Sequence, residues 1–148
     1  MALQRPPLSA MVLTAAGVLP FLLAAMMSLT GREFVVGVAP FTFPADGRSL
    51  AIGYGIVILS FMSGALWGLA AQARTLRMPG LVLSVLPALY TYFLVLRARG
   101  AEQQGLMIGF GGLLALDAAF QLLGMAPRWW LTLRVPATIV VFICLALV

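Results

Sequence analysis

The sequence predicts an all-α integral membrane protein, a bundle of five transmembrane helices with the N-terminus inside and the C-terminus outside. Hydrophobic residues make up 63% of the chain and charged residues 9%, against about 45–50% and 25% in soluble domains. Five apolar runs also approach the roughly 20 residues that a helix needs to cross a bilayer. The segments between these runs are too short for a soluble domain, so residues 1–148 are expected to form a single transmembrane domain.

The runs set the approximate bounds of the predicted helices: residues 10–29, 50–71, 79–96, 105–123 and 131–148. The first run is longer than a signal-peptide core, so we expect a span and not a cleaved leader, with Ser9 as its N-cap. A proline inside an apolar run removes a backbone hydrogen bond, and we therefore expect kinks at Pro20 and Pro87. Pro136 lies near the beginning of the fifth helix and is interpreted as a start signal.

The connection of residues 30–49 is too apolar for an ordinary solvated loop. Its prolines, Pro40 and Pro44, and the Asp46-Gly47 pair break any regular helix. Its aromatic side chains suit headgroup depth: Phe34, Phe41 and Phe43. We expect an interfacial connector; the alternative is a lid or docking loop.

The basic residues are all arginines, nine in number, and they stand singly or in pairs at the ends of apolar runs. This pattern is typical of headgroup anchors and topology signals, and not of a nucleic-acid surface. The short connections Arg74–Met78 and Ala126–Trp130 favour an inside N-terminus by the positive-inside rule. The bias is thin, since five arginines fall on the side of the N-terminus and four on the other.

The residues usually needed for catalysis are scarce in this chain. Histidine is absent, which removes the commonest general base and metal ligand. Cys144 is the single cysteine, so an intrachain disulfide is impossible, and no phosphate-binding loop or nucleophile elbow appears. The sequence therefore predicts a protein that is not an enzyme, with no catalytic residue, no metal site and no cofactor.

Asp117 is the one acidic residue well inside an apolar run, and a carboxylate there costs about 2.5–3.5 kcal/mol on insertion scales. Gln121 is one turn further on the same helix face, and Arg134 follows in the next helix. In an antiparallel hairpin that turns near Pro127, a long arginine side chain reaches the carboxylate. We predict an intramembrane Asp117–Arg134 pair, with Gln121 completing the hydrogen bonds. It is either a buried structural staple or a proton or anion site.

Small residues recur on two of the predicted helices, and such spacing lets helix backbones approach closely in lipid. One set is Ser60, Gly64 and Gly68; the other is Gly105, Gly109 and Gly112. Both are interpreted as helix-packing faces, either within the bundle or against a partner.

The tryptophans all fall towards one membrane face in the predicted topology. Trp129 and Trp130 are interpreted as interfacial anchors, and Trp67 fits the same aromatic belt. The alternative for Trp67 is a pocket for a flat ring such as a quinone, with Tyr54, Tyr90 or Tyr92 offering a hydroxyl.

Read in order, these elements resemble a family of small polytopic inner-membrane proteins classified only as a domain of unknown function, which includes mitochondrial transmembrane protein sixty-nine. The resemblance lies in Gly17-Val-Leu-Pro20-Phe, Tyr54-Gly55…Ser60-Phe61…Gly64…Trp67-Gly68, Ser84-Val-Leu-Pro87, Asp117 and Trp130…Arg134. Family members often carry histidine or arginine just before the tryptophan, where this chain has Leu66. The resemblance implies a five-helix inner-membrane architecture and no activity.

The sequence favours a non-catalytic accessory subunit or assembly factor of a larger energy-transducing membrane complex. Its expected surroundings are the lipid bilayer of the bacterial inner (cytoplasmic) membrane and other integral membrane proteins that meet its glycine-rich helix faces, with no nucleic acid. One alternative is a small carrier or a proton or anion permeation protein that uses Asp117 and Arg134. A second alternative is a quinone- or lipid-binding membrane protein.

Overall fold

A computed structural model describes residues 5–38 and 41–148 and shows five α-helices with one β-hairpin. The elements are α1 (Leu8–Thr30), β1 (Phe34–Val38), β2 (Phe41–Ala45), α2 (Gly47–Gln72), α3 (Arg77–Tyr90), α4 (Glu102–Leu122) and α5 (Trp130–Ala146). The five predicted helices are therefore present, and each begins a few residues earlier than the sequence indicates.

The β-hairpin is the main departure from the all-α prediction. Strands β1 and β2 pair antiparallel, with Phe34 opposite Ala45 and Val38 opposite Phe41, where the sequence predicts an irregular interfacial connector. Prolines and Asp46-Gly47 exclude a helix here, whereas the β-branched and aromatic residues of β1 and β2 fit a pair of short strands. Pro40 and the side chains of Phe34, Phe41 and Phe43 lie outside the described part of the chain. Their position at headgroup depth therefore stays a prediction.

Three of the described helices, α1, α2 and α4, are long and apolar enough to cross a membrane by length and composition. Helix α5 is apolar and shorter, with 17 residues. Helix α3 continues into a π-helical turn at Thr91–Val95, so that one continuous helical segment runs from Arg77 to Val95.

Helix α2 lies at the centre of the bundle, where it packs against α1, α3 and α4, while α5 closes the bundle by packing against α1 and α4. Short connections make sequential helices antiparallel. The fully buried core side chains include Phe21 on α1, Leu59 and Leu66 on α2, Val95 in the π-helical turn, Leu106, Leu113 and Phe120 on α4, and Leu145 on α5. Phe21 meets the rings of Tyr54 and Phe110 edge-on, with centroids 5.1 and 6.0 Å away.

The start of α2 is fixed by a side-chain cap and by a close approach to α1. The Asp46 carboxylate accepts a hydrogen bond from the Ser49 backbone N–H at 2.6 Å, which satisfies one of the free donors at a helix N-terminus. Hydrogen bonding to Ser49 lowers the pKa of the Asp46 carboxyl. Gly47 follows, and a Cβ there would collide with the carbonyl oxygen of Ala24 and come within 2.7 Å of the Ser28 backbone nitrogen.

Pro87 lies inside α3, and the π-helical turn follows it directly. The Thr91 hydroxyl donates to the Pro87 carbonyl oxygen at 2.8 Å, and the Ser63 hydroxyl of α2 donates to the Ser84 carbonyl oxygen. These hydroxyls supply donors in the region where a proline leaves a carbonyl without its usual partner.

The other two prolines lie within continuous helices. Pro20 is inside α1. Because α5 begins at Trp130, Pro136 falls in its second turn, and the interpretation of Pro136 as a start signal is wrong. The Trp130 backbone N–H is bonded to the Pro127 carbonyl oxygen at 2.9 Å in the turn that precedes α5.

Candidate functional site

The buried carboxylate of Asp117 holds α4 and α5 together. Its side chain is 1% exposed, and its Oδ2 accepts a hydrogen bond from the Arg134 Nε at 2.8 Å, while the Arg134 side chain is 12% exposed. The other oxygen, Oδ1, accepts from the Trp130 Nε1 at 2.6 Å. Both oxygens are therefore bonded, one of them to a cation.

The local structure brings these side chains together in a simple way. Helix α4 ends at Leu122, and Gly124 adopts a positive φ of 73° that few other residues tolerate. The Met125 N–H then bonds the Phe120 carbonyl oxygen at 2.8 Å, and the chain reverses into α5. Trp130 and Arg134 are one turn apart on α5, so both side chains leave the helix on the same side.

Gln121 has a different role from the one that the sequence suggests. Its Oε1 accepts a hydrogen bond from the Leu131 backbone N–H at 2.9 Å, so it caps the first turn of α5 and does not complete the hydrogen bonds of Asp117. The Trp130 indole completes them instead. The spacing of four residues between Trp130 and Arg134 indicates that both side chains lie on one side of the helix. A tryptophan at the start of a helix is, however, more commonly an interfacial anchor.

This arrangement is suited to holding two helices in register. Both carboxylate oxygens of Asp117 accept hydrogen bonds from α5, one from the Arg134 guanidinium and one from the Trp130 indole. A buried ion pair of this kind fixes the position of one element against another. The geometry favours the staple over a proton or anion site.

Replacing Trp130 by phenylalanine should lower the stability of the bundle by about 1.5–3 kcal/mol, the usual range for a hydrogen bond to a charged group. The change keeps an aromatic ring but removes the donor to Asp117 together with part of the volume of the indole. Thermal unfolding of the wild-type protein and the variant in a mild detergent would measure this loss of stability. The matched control is Trp129→Phe, because the described residues offer the Trp129 indole no recorded acceptor; equal losses in the two variants would contradict a specific role for Trp130.

Next to this pair lies a cavity of about 350 Å³ between α1, α2 and α5. Its wall is mainly apolar and includes Gly17, Phe21, Met62 and Val141, with Arg134 also facing it. The volume is within the range of small-molecule pockets, about 300–1,000 Å³. Sequence reasoning did not find this cavity, because residues that line it come from helices far apart in the chain.

The pocket suggested for Tyr54 and Trp67 is not formed. The two residues are thirteen positions apart on α2, or about 20 Å along the helix axis. The Tyr54 hydroxyl donates to the Gly17 carbonyl oxygen at 3.0 Å, while Trp67 is 51% exposed on the outside of the bundle. Trp129 and Trp130 instead line the cavity described above, with ring centroids 6.0 Å apart.

The two sets of small residues point in different directions. On α4, Gly105 and Gly109 face the interior: a Cβ at Gly105 would lie 3.3 Å from Val95, and one at Gly109 only 2.7 Å from Leu59. Gly112 has no atom within 4 Å of such a Cβ. On α2, a Cβ placed at Gly64 or Gly68 also meets no atom within 4 Å. The buried side of α2 is a different one, formed by Ala51, Gly55, Leu59, Ser63, Leu66 and Ala70.

No group of three or more His, Cys, Asp and Glu side chains that could hold a metal ion is found among the described residues. Cys144 is buried and free. A second ion pair outside the core joins Arg48 to Glu102 at 3.6 Å, and Arg48 also donates to the Gly100 carbonyl oxygen at 3.1 Å. It ties the start of α2 to the connection before α4.

Residues 6–148 match the model of a family described as a protein of unknown function, DUF3429. The chain belongs to this family. Transmembrane protein 69 of Xenopus tropicalis is 29% identical over 143 residues, covering 94% of this chain and 53% of that protein. Transmembrane protein 69 of Mus musculus is 28% identical over 142 residues, covering 93% and 54%. The DUF3429 chain thus spans about half the length of these curated relatives, and no solved structure matches it.

The names of the relatives and the three long apolar helices together support the conclusion that the chain is a membrane protein.

Proposed function

We propose that the chain is a non-catalytic membrane protein that acts as an accessory subunit or assembly factor of a larger energy-transducing membrane complex. The observation that carries this proposal is the outward direction of the small-residue face of α2. This docking face is formed by Ser60, Gly64 and Gly68.

The physical argument rests on what lipid can and cannot supply. Lipid tails solvate apolar side chains as well as another helix does, so association in the membrane depends on close backbone packing. A helix of a partner protein can approach α2 closely at Gly64 and Gly68, because no protein atom lies within 4 Å of a Cβ placed at either position. The occupant that we assign to the docking face is therefore a transmembrane helix of a different protein.

The intramembrane charges support the non-catalytic part of the proposal. Asp117 and Arg134 are bonded to each other and Asp117 also to Trp130, so this group is occupied in holding the bundle. The carrier alternative needs a polar group that is free to bind what is carried, whereas both oxygens of Asp117 are already bonded within the bundle.

We further propose that α1 to α5 all cross the bacterial inner (cytoplasmic) membrane, with the N-terminus inside and the C-terminus outside. Helix α3 reaches the necessary length with its π-helical turn. The connections Arg74–Met78 and Ala126–Trp130 favour this orientation through their arginines. Arg134 contributes little to this orientation signal, because its side chain is paired with Asp117.

The test is to tag the protein at its native locus, extract membranes in a mild detergent and identify by mass spectrometry what co-migrates in a native gel. We expect stoichiometric co-migration with a respiratory or photosynthetic complex. Gly64→Leu should abolish it while leaving the fold intact, since the leucine enters open space.

The matched control is Gly112→Leu on α4, where a Cβ also meets no atom within 4 Å. This variant should still co-migrate with the complex. Migration of the wild-type protein alone or as a small oligomer would overturn the accessory role, and equal loss in both variants would overturn the assignment of the docking face to α2.

A further inference from the structure

The cavity between α1, α2 and α5 has a polar end and an apolar end. Of its polar lining residues, Trp129 and Arg134 lie at the start of α5, Thr14 lies in the second turn of α1, and Thr138 lies in the middle of α5. Deeper in the bundle the wall consists of Phe21, Ile58, Phe110 and Val141. A ligand that fits this wall has one polar end and one hydrocarbon end.

Arg134 still has donors to offer at the polar end. Its Nε is bonded to Asp117, but a guanidinium carries further N–H groups on its two terminal nitrogens, and no acceptor for these is recorded among the described residues. Since Arg134 lines the cavity, an oxygen-bearing group placed there can accept from it without disturbing the ion pair.

The same end of the bundle is also the more positive one. Exposed arginines surround it at Arg5, Arg74, Arg77 and Arg128. The acids other than Asp117 are Glu33, Asp46 and Glu102, and all three stand in or beside connections at the opposite end. Arginines next to a membrane surface attract anionic lipid headgroups, each with about 1 kcal/mol.

We propose that this cavity binds one anionic phospholipid, with an acyl chain between α1, α2 and α5 and the headgroup oxygens at Arg134 and Arg128. The inference does not depend on the accessory role. A flat ring with polar atoms at both ends, such as a quinone, fits less well, because beyond Thr138 the wall at Phe21, Phe110 and Val141 offers only hydrocarbon and aromatic faces.

The probe is phosphatidylglycerol with brominated acyl chains, which quenches tryptophan fluorescence on contact. The full chain has three tryptophans, and Trp67→Phe removes the one outside the cavity, so that the signal reports Trp129 and Trp130. In detergent we expect saturable quenching at a ratio of one lipid per protein. Filling the cavity by Gly17→Leu should raise the lipid concentration needed for half-maximal quenching about tenfold. This corresponds to displacing about two methylene groups of the acyl chain from the cavity.

Gly17 is suited to this test because it lines the cavity and a Cβ there meets no atom within 4 Å. Gly112→Leu, equally open but outside the cavity, is the control and should bind as the wild-type protein does. Ala137→Leu, which also fills the cavity wall, replaces Gly17→Leu if that variant does not purify as a folded monodisperse protein. Brominated phosphatidylcholine should bind about fivefold more weakly for each arginine that contacts the headgroup.

Three results would overturn the proposal. Unsaturable quenching, or equal quenching of wild-type protein and both cavity-filling variants, would show that no defined lipid occupies the cavity. Equal affinity for phosphatidylcholine would exclude recognition of an anionic headgroup. A quinone that co-purifies stoichiometrically and blocks lipid quenching until it is extracted would assign the cavity to a ring ligand instead.

Discussion

Arg134→Leu should destabilise the protein by about 3–5 kcal/mol, the cost of removing one partner of a buried ion pair. The substitution leaves the Asp117 carboxylate in an apolar surrounding with the Trp130 indole N–H as its remaining bonded partner. Leucine retains part of the apolar volume of the arginine stem, so the loss reports mainly the unpaired charge. Thermal or denaturant unfolding of the purified protein in detergent measures it.

The informative control is the double variant Asp117→Leu/Arg134→Leu. If the pair acts through its charges, removing both should recover most of the stability, because replacing a buried pair by apolar residues is often neutral or favourable. A stable single variant, or a double variant as unstable as the single one, would contradict the staple.

Gly47→Ala should be the most damaging single methyl addition in the bundle. The new Cβ would collide with the backbone of α1 at Ala24 and Ser28, and backbone atoms cannot rotate away as a side chain can. Overpacking of this kind costs about 1–3 kcal/mol and sometimes more. The expected result is a lower unfolding temperature, together with separation of the start of α2 from the end of α1.

Gly53→Ala is the control on the same helix, since a Cβ at Gly53 meets no atom within 4 Å. Alanine is the better helix former by about 1 kcal/mol, so this variant should be as stable as the wild-type protein or slightly more so. A Gly47→Ala protein that behaves like Gly53→Ala would show that the approach between α1 and α2 is looser than described.

The helices and the Asp117–Arg134 pair could both be predicted from the sequence, and for the same reason. Lipid imposes a length on every span and a high cost on every unpaired charge, so apolar runs and an isolated carboxylate are strong signals. The short turn after α4 then limits which arginine can reach Asp117. The second partner, Trp130, was missed because a tryptophan at a helix start has a common alternative role at the membrane surface.

The direction of a helix face is a different matter. Spacing shows that Ser60, Gly64 and Gly68 share one side of α2, but in a membrane both the inside and the outside of a bundle are apolar, so hydropathy does not tell the two sides apart. The same limit explains why the cavity was not foreseen, since a cavity depends on how closely helices approach. The hairpin was missed because a two-stranded sheet has only a weak local pattern.

The pairing of Asp117 with Arg134 bears on how the protein is made. On its own, α4 would bring a carboxylate into lipid at a cost of about 2.5–3.5 kcal/mol, and α5 would bring an arginine at a similar cost. Joined by the short connection between Leu122 and Trp130, the two helices can present these charges already neutralised. We therefore expect α4 and α5 to leave the translocation machinery together, as a single helical hairpin, with α4 released into lipid only after α5 has been synthesised.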